Sequence, residues 1–185
     1  AYTGDSSARK VARYQPMKFA AMEALYDGQT NAGLIAFGIL KDSDKKIGEL
    51  QTKEFAFKIE IPGLLSVLTS GNKDAYVPGI NDHINGNPDM NILSVIEKAE
   101  KGEIASSALF DYKRAKQLNN TEQINTIKGV FKKQEFQNDY FRFFGYAGIT
   151  KHEEVIPSVT MSFYSFHIMV ILGFLFILIF AATLY

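Results

Sequence analysis

The sequence predicts a mostly α-helical chain with one small β-hairpin: an extramembrane loop domain over residues 1–154, then a single transmembrane helix over residues 155–185. Three observations carry this. No Asp, Glu, Lys or Arg occurs from Val155 to Tyr185, so every full charge lies before that segment. Helix-forming runs recur at 15–27 and from 92 onward. Between them, residues 53–61 alternate apolar and polar in the two-residue period of a strand.

The elements follow in order. Ala1 to Tyr14 is polar with scattered charge and reads as an irregular lead-in. Gln15 to Asp27 reads as a helix. Pro16 suits the first turn, where its missing N–H costs nothing, Ala20 to Leu25 are strong helix formers, and Gly28 is a natural stop. Leu34 to Leu40 is a short apolar run. Phe55, Phe57, Ile59 and Ile61 share one strand face, which predicts a half-buried strand, and charged Lys41 to Lys46 reads as the turn of a hairpin. Leu64 to Thr69 supports a turn or two of helix, and Ser70 to Met90 is rich in Gly, Asn and Pro and reads as loop. Ile92 to Lys101 and Glu103 to Leu118 read as two helices parted by Gly102. Thr121, a candidate cap, opens a further helical stretch to Phe144. The aromatic cluster Asp139 to Tyr146 precedes the membrane, where such rings favour the lipid–water interface. Pro157 marks the membrane entry, and Ile168 to Phe180 is too apolar for a surface helix. A helix rises ~1.5 Å per residue, so the uncharged segment is long enough to cross a ~30 Å hydrocarbon core.

Composition excludes several classes. Lys plus Arg equals Asp plus Glu at 20 each, which argues against a nucleic-acid partner. There is no Cys, so neither a disulfide framework nor a thiolate metal site is possible. His83 and His152 stand apart without metal-ligand spacing, and no glycine-rich phosphate loop occurs. The chain starts at Ala1 without an initiator Met, and its apolar run reaches Tyr185 without a basic anchor. Both lead to the expectation of a piece of a longer protein.

Two constellations carry possible chemistry. On the first helix, Lys18 and Glu23 are five residues apart and so ~140° round from each other, outside good ion-pair spacing. A carboxylate near Phe19 and Tyr26 suits a proton acceptor, and the lysine suits a hydrogen bond to a substrate oxygen. An amphipathic helix with solvated charges is the commoner meaning of that pattern by itself. The second is Ser165-Phe166-His167-Ile168-Met169 at the membrane entry. Apart from the phenols of Tyr164 and Tyr185, His167 is the one ionisable side chain of the span, and such groups are functional candidates. The Met169 thioether is a possible haem axial ligand, although a lone Met in an apolar helix usually packs.

The run Gln15-Pro16-Met17-Lys18-Phe19-Ala20-Ala21-Met22-Glu23-Ala24 resembles the QPxKxAAxEa motif of cytochrome bd quinol oxidase subunit I. Thr3-Gly4-Asp5 is similar to the Gly-Asp before that motif. Phe55 to Pro62 and Tyr76-Val77-Pro78-Gly79 look like the stretch that follows it, and Pro157-Ser158-Val159 through Gly173 looks like the start of the seventh transmembrane helix. The resemblance covers both ends and the Phe55–Asn85 stretch. It implies that the motif opens the quinol-oxidising loop, outside the cytoplasmic membrane of a bacterium. It implies that Lys18 and Glu23 bind and oxidise quinol, and that Met169 ligates the low-spin haem b558. The haem's partner His, and the ligands of haems b595 and d, belong to other helices of the subunit, and subunit II is a further partner.

One position departs from the family pattern, which often reads FRxMV. His167 stands where the family often has Arg, and a histidine, unlike arginine, can be neutral. The resemblance therefore implies a respiratory enzyme that passes electrons from quinol through haem b558 to oxygen-reducing haems. This piece would be inactive alone, with His167 near the haem or the quinol. Two readings compete: a single-pass, membrane-anchored binding or sensor domain, and a tail-anchored cytosolic protein. Lys151 is balanced by Glu153 and Glu154, so flanking charge does not set the orientation.

Overall fold

The computed structural model describes residues 9–184. Thr3-Gly4-Asp5 and Tyr185 lie outside the described residues. The predicted class is the observed one: helices dominate, with a small β-hairpin and one long apolar helix at the C-terminal end. The chain divides into two compact units, one made of 1–83 with 156–185 and the other of 84–155.

In the first unit, residues 9–14 are helical rather than irregular. Helix α1 spans Pro16–Met22, with Pro16 in its first turn as predicted. It ends five residues before the predicted stop at Asp27, because Ala24 turns left-handed at φ 49°. Leu25 N–H then donates to Ala20 O at 2.9 Å and Ala24 N–H to Ala21 O at 3.3 Å. This is the paired closure that ends many helices, normally with Gly or Asn at the left-handed position. Alanine there costs of order 1 kcal/mol, a small strain beside the candidate site.

After the short strand β1 (Gln29–Thr30), the hairpin strands β2 (Leu34–Ile47) and β3 (Leu50–Ile61) are longer than expected. Lys41 to Lys46 is strand, and the turn falls at Gly48-Glu49, with Gly48 at φ 59°. Register shifts bend the ladder at three places, between Ile35 and Phe37, Ile39 and Leu40, and Asp42 and Lys46. Ion pairs Lys41–Glu54, Lys53–Asp42 and Lys58–Glu60 decorate the hairpin. The predicted strand is present, and the Phe57, Ile59 and Ile61 side chains on that face are about half exposed.

Helix α2 (Leu64–Ser70), strand β4 (Tyr76–Val77), which pairs antiparallel with β1, and helix α3 (Ile80–Asn85) follow. Phe19, Ala32, Leu65 and Val77 form a core cluster here. Fully buried Ser66 accepts Ala32 N–H at 2.8 Å and donates to Ala75 O at 2.8 Å, so its hydroxyl is satisfied. Ile80 and Asn81 N–H groups donate to Leu25 and Tyr26 carbonyls at 2.9 and 2.8 Å. Gly79 permits that approach: a Cβ there would sit 2.5 Å from Tyr26 O.

The last element of this unit is α7 (Val159–Leu184), 26 residues or ~39 Å long. It is the one helix among the described residues long and apolar enough to cross a membrane. Its first turns pack on α1 and β2, burying Val159, Phe163 and His167. From Ile168 to Leu184 every side chain is exposed in this chain. Phe163 is fully buried, edge-on to Phe55 at 5.5 Å. Gly38 makes room for both rings, since a Cβ would lie 2.7 Å from Phe55 and 3.1 Å from Phe163. Phe163→Ala is expected to cost about 3–5 kcal/mol, read as a lowered thermal midpoint of the purified protein.

In the second unit, α4 (Val95–Gln117) runs unbroken through Gly102, where the sequence suggested two helices. It starts at a capping box. Glu97 N–H donates to Ser94 Oγ at 3.2 Å, and Ser94 N–H donates back to Glu97 Oε2 at 2.7 Å. Helices α5 (Thr121–Lys132) and α6 (Gln134–Asp139) follow, and Asn120 rather than Thr121 is the cap of α5. The aromatic cluster forms a 3-10 segment, Phe141–Tyr146, that packs on α4. Phe131 joins it to Tyr112, Phe136 and Phe141 through edge-on contacts of 5.5–6.3 Å. Gly102 lies at a close approach of the two, where a Cβ would sit 2.5 Å from Phe143 O. Gly102→Ala should therefore loosen residues 141–146 at a cost of about 1–3 kcal/mol, detected as faster proteolysis within them.

Candidate functional site

Glu23 caps the C-terminus of α1, and the left-handed turn at Ala24 follows it. Its side chain lies inside the first unit, only 5% exposed. Burial pushes its carboxyl pKa up to about 8, against the lowering effect of the Ile35 N–H that donates to it. Oε2 is buried without a hydrogen-bond partner. Lys18 is exposed on the same helix, and no ion pair or hydrogen bond joins it to Glu23. The two residues thus share an element but not an environment, as their spacing requires.

Strand β2 pairs with β3 on one side only, and its other edge needs partners. Side chains from the helices supply them. Ile35 N–H donates to Glu23, and Ile35 C=O meets His167 Nε2 at 2.8 Å. Leu40 N–H donates to the Tyr164 hydroxyl at 2.9 Å. His167 Nδ1 lies 2.8 Å from Phe163 O, and its ring stacks obliquely on Phe163 with centroids 4.0 Å apart. Residue Ile35 therefore connects Glu23 to His167 directly.

Met169 follows His167 by two residues, ~200° round the helix. It points away from the packed side and is 61% exposed. A thioether on an accessible, apolar helix face fits one axial position of a haem. No cluster of three or more His, Cys, Asp or Glu suited to a metal ion occurs among the described residues. Near the end of α1, Tyr26, Lys53, Pro157 and Thr160 line a cleft of about 330 Å³. The Tyr26 hydroxyl accepts Lys53 N–H at 2.9 Å, and burial raises its pKa.

Periodicity offered no signal for Ile35, which acts through its backbone, or for the left-handed Ala24. Tyr164 was visible only as a phenol in an uncharged segment.

A helix long and apolar enough to cross a membrane, packed on the helix that ends at a buried acid, is the arrangement that known families can be compared with. Residues 1–185 match the family described as cytochrome bd terminal oxidase subunit I, and the chain belongs to that family. Among curated proteins it is similar to cytochrome bd-II ubiquinol oxidase subunit 1 of Escherichia coli (strain K12), with 35% identity over 79 residues. The match covers 43% of this chain and 14% of that relative.

Proposed function

We propose that this chain is the quinol-oxidising segment of a terminal respiratory oxidase, with residues 1–154 on the periplasmic side of the bacterial inner membrane and residues 155–185 in it. The observation that carries the reading is the buried Glu23 carboxyl with Oε2 unpartnered. A desolvated acid with a missing donor suits the hydroxyl of a hydroquinone. With its pKa at about 8 it is a competent base near neutral pH. Lys18, exposed on α1, holds a quinol oxygen. Ionised Glu23 takes one of the two quinol protons and the other leaves to water, while the two electrons depart one at a time to the acceptor that the complete oxidase supplies, leaving quinone. Met169 would hold the iron of haem b558 through its thioether, and that haem would supply one-electron acceptor chemistry. The other protein ligand of that haem, haems b595 and d, and subunit II would belong to the remainder of the assembly.

The pH profile of quinol oxidation tests this. Glu23 accepts a proton only when ionised, so in membranes carrying the complete oxidase the rate should rise with pH through about 8. Glu23→Gln should remove that limb. A wild-type profile unchanged by the substitution rejects Glu23 as the base. Lys18→Ala should raise KM for quinol several-fold with kcat largely kept, because a single exposed contact contributes binding at most on the order of 1–2 kcal/mol. An unchanged KM removes Lys18 from the site.

A further inference from the structure

We propose that His167 is a positioning residue for the quinol site: by holding Ile35 C=O it fixes the edge of β2 to which the Glu23 carboxyl is bound. The proposal rests on the reading of Glu23 as the proton acceptor. Its geometry is independent of that reading. His167 is 7% exposed in this chain, and both ring nitrogens lie 2.8 Å from backbone carbonyl oxygens, one on its own helix and one on β2. In an antiparallel strand the N–H and C=O of one residue point the same way. The Ile35 N–H that meets Glu23 and the Ile35 C=O that meets His167 therefore move as a unit. Ile35 pairs with Glu60 of β3, and the register shift that follows it interrupts the ladder, so the contacts on the other edge of β2 add to a pairing that is broken on one side. The Phe163 ring beneath the imidazole, and Gly38 beneath Phe163, fix the ring's height on the strand. Displacement of the acid from the reacting hydroxyl by ~1 Å is enough to cost on the order of 100-fold in rate.

A pair of variants separates positioning from bulk structure, in the complete, haem-containing oxidase. His167→Gln places an amide donor within reach of Ile35 O, whereas His167→Asn is one methylene shorter and falls away from it. The readout is the infrared carbonyl stretch of protonated Glu23, assigned by its loss in Glu23→Gln, together with kcat and KM per haem. Positioning predicts a wild-type band and kcat in His167→Gln. It predicts a shifted band and a kcat about tenfold lower in His167→Asn, with KM for quinol unchanged. Identical Glu23 bands in the two variants overturn the proposal. So does a His167→Asn protein that merely assembles in lower amount while each assembled molecule behaves as wild type. If instead Glu23→Gln itself turns over normally, the assignment of the base fails, and the band still decides whether His167 positions that carboxyl.

Discussion

Glu23→Gln is expected to lower the rate of quinol oxidation by about 10²–10⁴-fold while leaving the haem spectrum and the amount of protein in the membrane unchanged. Glutamine matches the carboxyl in size, and its carbonyl oxygen accepts the Ile35 N–H in place of the carboxylate. The fold has no reason to resist it; the variant removes a group whose ionisation in a buried place is costly. That yields an opposite effect on stability. The folded-state pKa of Glu23 is raised from 4.5 to about 8, so between those values the folded chain keeps a proton that the unfolded chain has lost. The associated stability is complete below pH 4.5, declines as pH rises, and is gone above about 8. Thermal inactivation at about pH 6 and about pH 9 should show this decline in wild type and a smaller one in Glu23→Gln. A variant that is inactive and also more resistant at alkaline pH separates lost chemistry from lost folding. A fully active one excludes the carboxyl from proton transfer.

Met169→Leu is the second large effect. Leucine keeps size and apolarity, so packing and membrane insertion should be conserved. It offers no lone pair, so the low-spin b-haem signal should vanish or shift in reduced-minus-oxidised spectra, with the other haem signals retained. Quinol oxidation should fall in step. An unchanged spectrum assigns Met169 to packing. The side chain's exposure on α7 makes that alternative easy to tell apart, because the neighbouring apolar residues Ile168, Val170 and Ile171 are also exposed and none carries a lone pair for iron.

What the sequence revealed and what it hid divide along physical lines. The membrane helix was legible because a long uncharged, apolar run has few other stable solutions. The hairpin was legible from its alternation, but its turn was misplaced: Lys41 to Lys46 looks like a charged loop and is instead an exposed strand whose charges pair across to Lys53 and Glu54. Helix α1 was legible at its proline and illegible at its end, because alanine is a strong helix former and its propensity points to continuing the helix, not to a left-handed turn. The break at Gly102 was a false one; the glycine there serves the close approach of residues 141–146, not the end of a helix. Of the candidate site, Lys18, Glu23, His167 and Met169 were visible as residue types in a motif. That Glu23 is buried while Lys18 is not, and that Ile35 joins Glu23 to His167, depended on a strand edge 132 residues away in sequence from the imidazole.

That separation makes the chain between Ile35 and His167 a closed loop, and the whole unit of residues 84–155 is strung inside it. The entropy of closing a loop grows only with the logarithm of its length, so doubling it costs about 0.6 kcal/mol. Segments can thus be added to or removed from residues 84–155 with little penalty to the Ile35–His167 contact, provided both strands of chain still reach it. The clasp tolerates changes of cargo: the length of the intervening stretch is free to drift between relatives, or to be spliced by design, while the acid and the membrane helix stay in register.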